Sequence, residues 1–223
     1  MMQVMSQPLP MSLPRTPIFP LQSVLFPDGY LQLQIFEPRY LDMVARCHKA
    51  GQPFGVVSLL EGGEVRRLDP QADGAFVRER FNEVGTLAHI ESLESVQAGL
   101  LHLRCRGGQR FRLSRSHCLP HGLWMGEGEL LDDDAAVAVP KDLQPAAELL
   151  RTLLHNLEQG AAAADLPLQP PYHWGDCAWL SNRWSELLPL PPDARQRLMQ
   201  LDNPLLRLEL VADQLDQLHI RPV

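Results

Sequence analysis

From residue 17 to about 130 the chain alternates apolar and polar positions in short runs broken by Gly, Pro and Asp, the period of two expected of half-buried strands. LQLQIF (31–36) alternates cleanly, PFGVVSLL (53–60) is almost wholly apolar, and EVGTLAHIESL (83–93) and LLHLRCR (100–106) continue the pattern. Gly107 and Gly108 then separate LLHLRCR from QRFRLSR, which predicts a hairpin with a two-residue turn. On its first strand Leu101, Leu103 and Cys105 share one face while His102, Arg104 and Arg106 share the other. Residues 61–81 have turn formers and charge without a firm period, and read as an extended loop or a weak hairpin.

After LDDDAAVAVPKD (131–142) the period changes to about 3.6, the helical value. Leu143, Ala147, Leu150, Leu154 and Leu157 form one stripe on a helix ending near Gly160. A second helix runs from about Trp174 to Leu188 with Cys177, Leu180, Trp184 and Leu187 aligned, and residues 193–201 form a short third. Pro204 in the first turn after Asn203 opens a fourth, with Leu208, Val211, Leu215 and Leu218 as its seam. The predicted fold class is α+β. A lead-in without order (1–15) precedes a mainly antiparallel β domain with one inserted helix (16–131), a linker (132–142) and a C-terminal α-helical bundle (143–223).

The inserted helix follows the stretch PLQSVLFPDGYLQLQIFEPRY (20–40), where nearly every residue has a local role. Pro27 and Asp28 suit the centre of a type I turn followed by Gly29. Pro38 suits the first turn of a helix with Tyr40, Leu41, Val44 and Cys47 facing inward, His48 and Lys49 near its negative end and Gly51 as left-handed cap. Glu37 and Arg39 are the exception, because residues two apart do not face each other on a helix. Either each locks the helix onto the sheet through its own partner, or the two rim a binding surface.

Composition narrows the function. A net charge of −7 lacks the cationic surplus that binding to a phosphate backbone demands. No apolar segment approaches the length of a membrane span, so a cytoplasmic protein is expected. The four cysteines, Cys47, Cys105, Cys118 and Cys177, are far apart and form no Cys-x-x-Cys pair, which predicts reduced, mostly buried thiols.

PIFPLQSVLFPDGYLQLQIFEPRY (17–40), VGTLAHI (84–90) and GGQRFRL (107–113) together resemble the N-terminal substrate-binding domain of the Lon ATP-dependent proteases, whose opening reads PxFPLxxVxFPGxxLPLxIFEPRY. The C-terminal WSELLPLPPDARQRLMQLDNPLLRLELVADQL is similar to that family's helical portion, so the resemblance extends over about 17–219. Two departures stand out: Asp28 replaces the usual Gly after Phe-Pro, and Gln32 replaces the Pro of LPL. The resemblance implies a PUA-like β-barrel followed by a helical bundle. It also implies a domain that binds polypeptide substrates or a protein partner, a Lon-type protease acting in trans among them, with the oligomeric state open and a dimer included.

The catalytic parts of a full Lon protease leave a residue signature that is missing here. A phosphate-binding loop ends in Gly-Lys-Ser or Gly-Lys-Thr, yet the only lysines, Lys49 and Lys141, are followed by Ala50 and Asp142. Neither lysine sits where a Ser-Lys dyad needs a desolvated amine. No Gly-x-Ser-x-Gly or His-Glu-x-x-His motif occurs. His117, Cys118 and His121 would diverge on a strand end broken by proline, and Asp132–Asp134 read as a solvated linker, so no catalytic residue, metal or cofactor is expected. Candidate protein-binding residues are Phe26, Tyr30, Trp124 and Met125, large side chains near turns or strand ends, together with Glu37 and Arg39. The alternative is an RNA-binding PUA-like protein using Arg104, Arg106, Arg110 and Arg112. Against it stand the net acidity, the nearby carboxylates and the lack of aromatic side chains between these arginines.

Overall fold

The structure is a computed structural model that describes residues 11–65, 77–159 and 166–220. Among the described residues six strands share one sheet: β1 (Ser12–Leu21), β2 (Tyr30–Ile35), β3 (Phe54–Glu61), β4 (Arg80–Gln97), β5 (Leu100–Cys118) and β6 (Trp124–Leu130). The order is β2-β5-β4-β3-β1-β6, and β5 also pairs with β6, so the ladder returns to a strand it has already passed. Only β1 and β3 run parallel, since the crossover between them holds β2 and the helix α1 (Pro38–Ala50). Residues 12–15, expected in the lead-in, already belong to β1, where Ser12 and Leu13 pair with Glu129 and Gly128.

The helix α1 begins at Pro38 and closes on Gly51, which has φ +60 and donates to the carbonyls of Cys47 and His48. Its buried face is Arg39, Tyr40, Met43, Val44 and Cys47. Leu41, expected inward, is only half-buried, while Met43 and Arg39 take that side. Phe19 stacks on Tyr40 at 3.8 Å between ring centroids. With Phe54, Val56, Leu103 and Cys105 these residues make one apolar cluster between helix and sheet.

Two predicted turns differ. The strand β5 runs unbroken through Gly107 and Gly108, and the hairpin turn lies instead at Ala98-Gly99, between β4 and β5. Gly107 serves close approach: a Cβ there would lie 2.0 Å from the Phe26 carbonyl oxygen. Asp28 N–H donates to the Gly107 carbonyl at 2.9 Å, and Gly107 N–H to the Gly29 carbonyl at 2.8 Å. The turn at residues 26–29 is closed by Gly29 N–H on the Phe26 carbonyl at 3.0 Å, but Asp28 has φ +59. A positive φ at the third position belongs to a type II turn, whereas type I requires a negative value there. Asp28 thus adopts a conformation that glycine takes at no steric cost, and its carboxylate meets the Arg106 guanidinium at 2.9 Å.

Among the described residues four helices follow: α2 (Gln144–Glu158), after a short 3-10 turn at Lys141–Leu143, then α3 (Cys177–Leu187), α4 (Pro192–Gln200) and α5 (Pro204–Gln217). Asp176 caps α3 by accepting from Trp179 N–H, and Asn203 caps α5 by accepting from Leu205 and Leu206 N–H. The first predicted helix is described to Gln159, and its expected end at Gly160 lies outside the described residues. The helices share one apolar cluster with Phe26 and Val84 of the sheet region.

Polar bonds cross the same boundary. Asp134, expected to be a solvated linker residue, has a side chain only 8% exposed. It accepts from Arg207 Nη1 and Nη2 at 2.7 and 2.9 Å and from Arg110 Nη2 at 3.1 Å. Arg207 also donates to Asn182 Oδ1, and Arg110 to the Met199 carbonyl. Gln196 of α4 donates to the Val84 carbonyl, and Arg183 of α3 to the Pro27 carbonyl. A carboxylate between two buried guanidiniums costs less than either would alone, which is why this aspartate leaves solvent.

Candidate functional site

Glu37 and Arg39 belong to one bonded cluster. Glu37 is the residue before the first helical turn and has extended dihedrals, so its carboxylate lies beside Arg39 instead of on the opposite face of the helix, about 200° around. Arg39 Nε donates to Glu37 Oε2 at 3.2 Å, which corrects the expectation that the two cannot meet. Arg39 Nη1 donates to the Gly122 carbonyl at 2.8 Å in the β5–β6 turn, and Nη2 to Glu79 Oε1 at 3.2 Å just before β4. The other Glu79 oxygen accepts from Trp124 Nε1 at 2.5 Å. The guanidinium also lies 4.4 Å from the Tyr40 ring centroid. Arg39 is therefore a buried fastener from α1 to β4 and β6, and its charge-assisted bonds set the orientation of Trp124.

Trp124 forms one wall of a cleft of about 550 Å³. The cleft exists because β5 changes partners. From Val84↔Arg112 onward β4 pairs with β5, but Arg80 and Phe81 at its start pair only with β3. The end of β5, from Leu113 to Cys118, pairs only with β6. The two ladders thus diverge around residue 112, and the cleft occupies the wedge between residues 80–84 of β4 and 113–116 of β5. Phe81 meets Trp124 edge to face, with centroids 5.1 Å apart and planes at 86°. Leu113 and Val84 are buried beneath, Leu60 at the rim is 55% exposed, and Gln200 at the end of α4 reaches the same space. The arrangement offers an apolar floor beside open strand edges, a surface for contact.

Of the candidate residues, the structure gathers Glu37, Arg39 and Trp124. Met125 is adjacent to Trp124 on β6 and so points to the opposite face, where it packs against the α1 cluster. Phe26 is fully buried in the apolar cluster of the helices. Tyr30 lies on β2 far along the ladder, with Arg104 and Arg106 guanidiniums 4.7 and 5.8 Å from its ring centroid. Glu79, Phe81 and Leu113 also line the site, and no sequence motif singles them out as contact residues. Glu79 and Phe81 fall in RERFNEV, where no period was legible, and only the aromatic side chain amid charge marked the spot.

The four arginines proposed for RNA are spread along one strand, each facing a carboxylate: Arg104 with Glu91, Arg106 with Asp28, Arg110 with Asp134, Arg112 with Glu129. Among the described residues no three His, Cys, Asp or Glu side chains are grouped to hold a metal ion, the His117, Cys118 and His121 set included. Burial raises the Cys47 and Cys177 thiols and pushes Cys105 up to about 12, and all three are buried, as expected; Cys118 is exposed. Protonated thiols of this kind are packing residues and weak nucleophiles. No helix among the described residues is long and apolar enough to cross a membrane.

Comparisons with known proteins bear on the family and the fold. Nothing among the curated proteins matches the chain. The solved Lon N-terminal domain protein from Xanthomonas campestris is similar at 30% identity and TM-score 0.67, covering 94% of this chain and 100% of that one. The N-terminal domain of the Mycobacterium avium complex Lon protease shares the fold at 14% identity and TM-score 0.54, covering 89% of this chain and 96% of that one. A model of the ATP-dependent protease La (LON) substrate-binding domain matches residues 15–217. On that match and the Xanthomonas similarity, the chain belongs to the LON substrate-binding domain family.

Proposed function

We propose that this chain is a non-catalytic module that binds unfolded or extended polypeptide through the cleft beside Trp124, acting in the cytoplasm as an adaptor for a Lon-type protease in trans. We read the returning ladder as a PUA-like barrel spanning residues 12–131, and α2 to α5 as a helical bundle packed on its side. The observation that carries the reading is the cleft, apolar at its floor and polar at its rim, opened by the divergence of β4 from β5 in a chain of substrate-binding family membership.

The test uses reduced, carboxymethylated α-lactalbumin as a permanently unfolded probe and native α-lactalbumin as its control. Saturable binding of the unfolded form alone, measured by fluorescence anisotropy, is the expected result. Equal binding of both forms, or of neither, overturns the reading. ATP turnover or peptide cleavage by the purified chain would do the same.

A further inference from the structure

We propose that the cleft receives its occupant as an added β-strand: an extended, uncharged segment with alternating apolar residues, held mainly through its backbone. The inference rests on the binding reading above and specifies what is recognised. Between β4 residues 80–83 and β5 residues 113–116 two strands present edges with no partner strand among the described residues. A strand edge is a row of backbone donors and acceptors, and the group that satisfies such a row is another strand. Both edges are fixed in place, since β3 holds one from behind and β6 the other. Four residues at about 3.3 Å each give a bonding length of about 13 Å, enough for a short extended segment. Neither edge contains a proline, the residue that would interrupt such pairing.

The side chains fix the chemistry of the occupant. Phe81, Leu113 and Trp124 face the interior cluster and floor the cleft, so every second residue of an added strand meets an apolar surface. Three of the four charged lining residues are paired with partners outside the lining, Glu79 with Arg39, Arg80 with Glu61 and Arg115 with Glu127, so little unpaired charge faces the cleft. On a chain of net charge −7 this neutral patch neither attracts nor repels by sign. An alternating apolar segment without charge fits it, and such segments are exposed when a protein unfolds.

The experiment uses an eight-residue acetylated peptide alternating valine with serine and threonine, bearing one photoreactive benzophenone. Two further versions are N-methylated on alternate amides, one in each phase. The expected results are crosslinks at residues 79–84 or 113–116 and a loss of roughly 30-fold in affinity for at least one methylated phase, as two missing backbone bonds imply. Crosslinks elsewhere, or methylation without effect in both phases, overturn the strand-addition proposal. If unfolded α-lactalbumin binds but the peptide does not, this inference falls and the binding reading stands. If neither binds, both fall.

Discussion

The boundary between sheet and helices and the cleft at the β4–β5 divergence both contain arginines, glutamates or aspartates and aromatic side chains, yet they are built to opposite ends. At the boundary the guanidinium ends are engaged: Arg110, Arg207 and Arg183 reach carbonyls or carboxylates across it, and Phe26 fills the apolar gap. In the cleft the polar side chains are bonded away from the open space, as Glu79 is by Arg39 and Trp124. The strand edges are what remains unused. Bonds at the boundary hold the fold, and the cleft keeps its capacity for a partner.

Four changes test that contrast, from the largest effect to the smallest. Among the described residues, Asp134→Ala removes the only carboxylate paired with buried Arg207 and one of two paired with Arg110, and a loss of about 4 kcal/mol in urea denaturation is expected, with Asp134→Asn intermediate. A loss below about 1 kcal/mol would show that the boundary is held by apolar packing alone. Gly107→Ala drives a Cβ into the Phe26 carbonyl, and about 3 kcal/mol is expected because backbone must move.

The third is a pH dependence centred on Glu186. Burial against the turn at residues 26–29 raises its carboxyl to about 7, with Arg183 and Arg195 opposing, Asp28 adding to the rise and Phe26 N–H opposing it. A raised carboxyl means that the folded state binds the proton more tightly. Its contribution is therefore present in full below about pH 4.5 and is lost as pH rises through 7. The side chain keeps 21% exposure, so about 2 kcal/mol is expected over that window, absent in Glu186→Gln. A profile that is the same in both proteins would remove Glu186 from the boundary's energetics. Last, Arg115→Ala on the cleft wall removes a side chain that is 82% exposed, and thermal unfolding should place the change within about 0.5 kcal/mol. A larger loss would mean that the cleft, too, is part of the structural frame.

Much of the fold was legible because its causes are local. The helix starts at Pro38 and Pro204 and the caps at Gly51 and Asn203 depend on neighbouring residues only. The alternation of 31–36 and 100–106 survives in β2 and β5. Gly107-Gly108 misled because glycine signals both a turn and a close approach, and only the position of Phe26 decides between them. Arg39 was recognised as unusual, but its partners Glu79 and Gly122 lie 40 and 83 residues away, where spacing carries no information. Asp134 read as solvated because its two arginines come from distant elements.

The amino-acid order by itself determined the periods of two and 3.6, the ends of the helices, and the motifs that place the chain in its family, since each depends on residues within a few positions of one another. Tertiary structure alone decided that Asp134 would be buried, that Phe26 would face the helices, and that β5 would part from β4 at residue 112 to join β6. Those outcomes depend on which surfaces meet after collapse, and that choice is made by the whole chain at once.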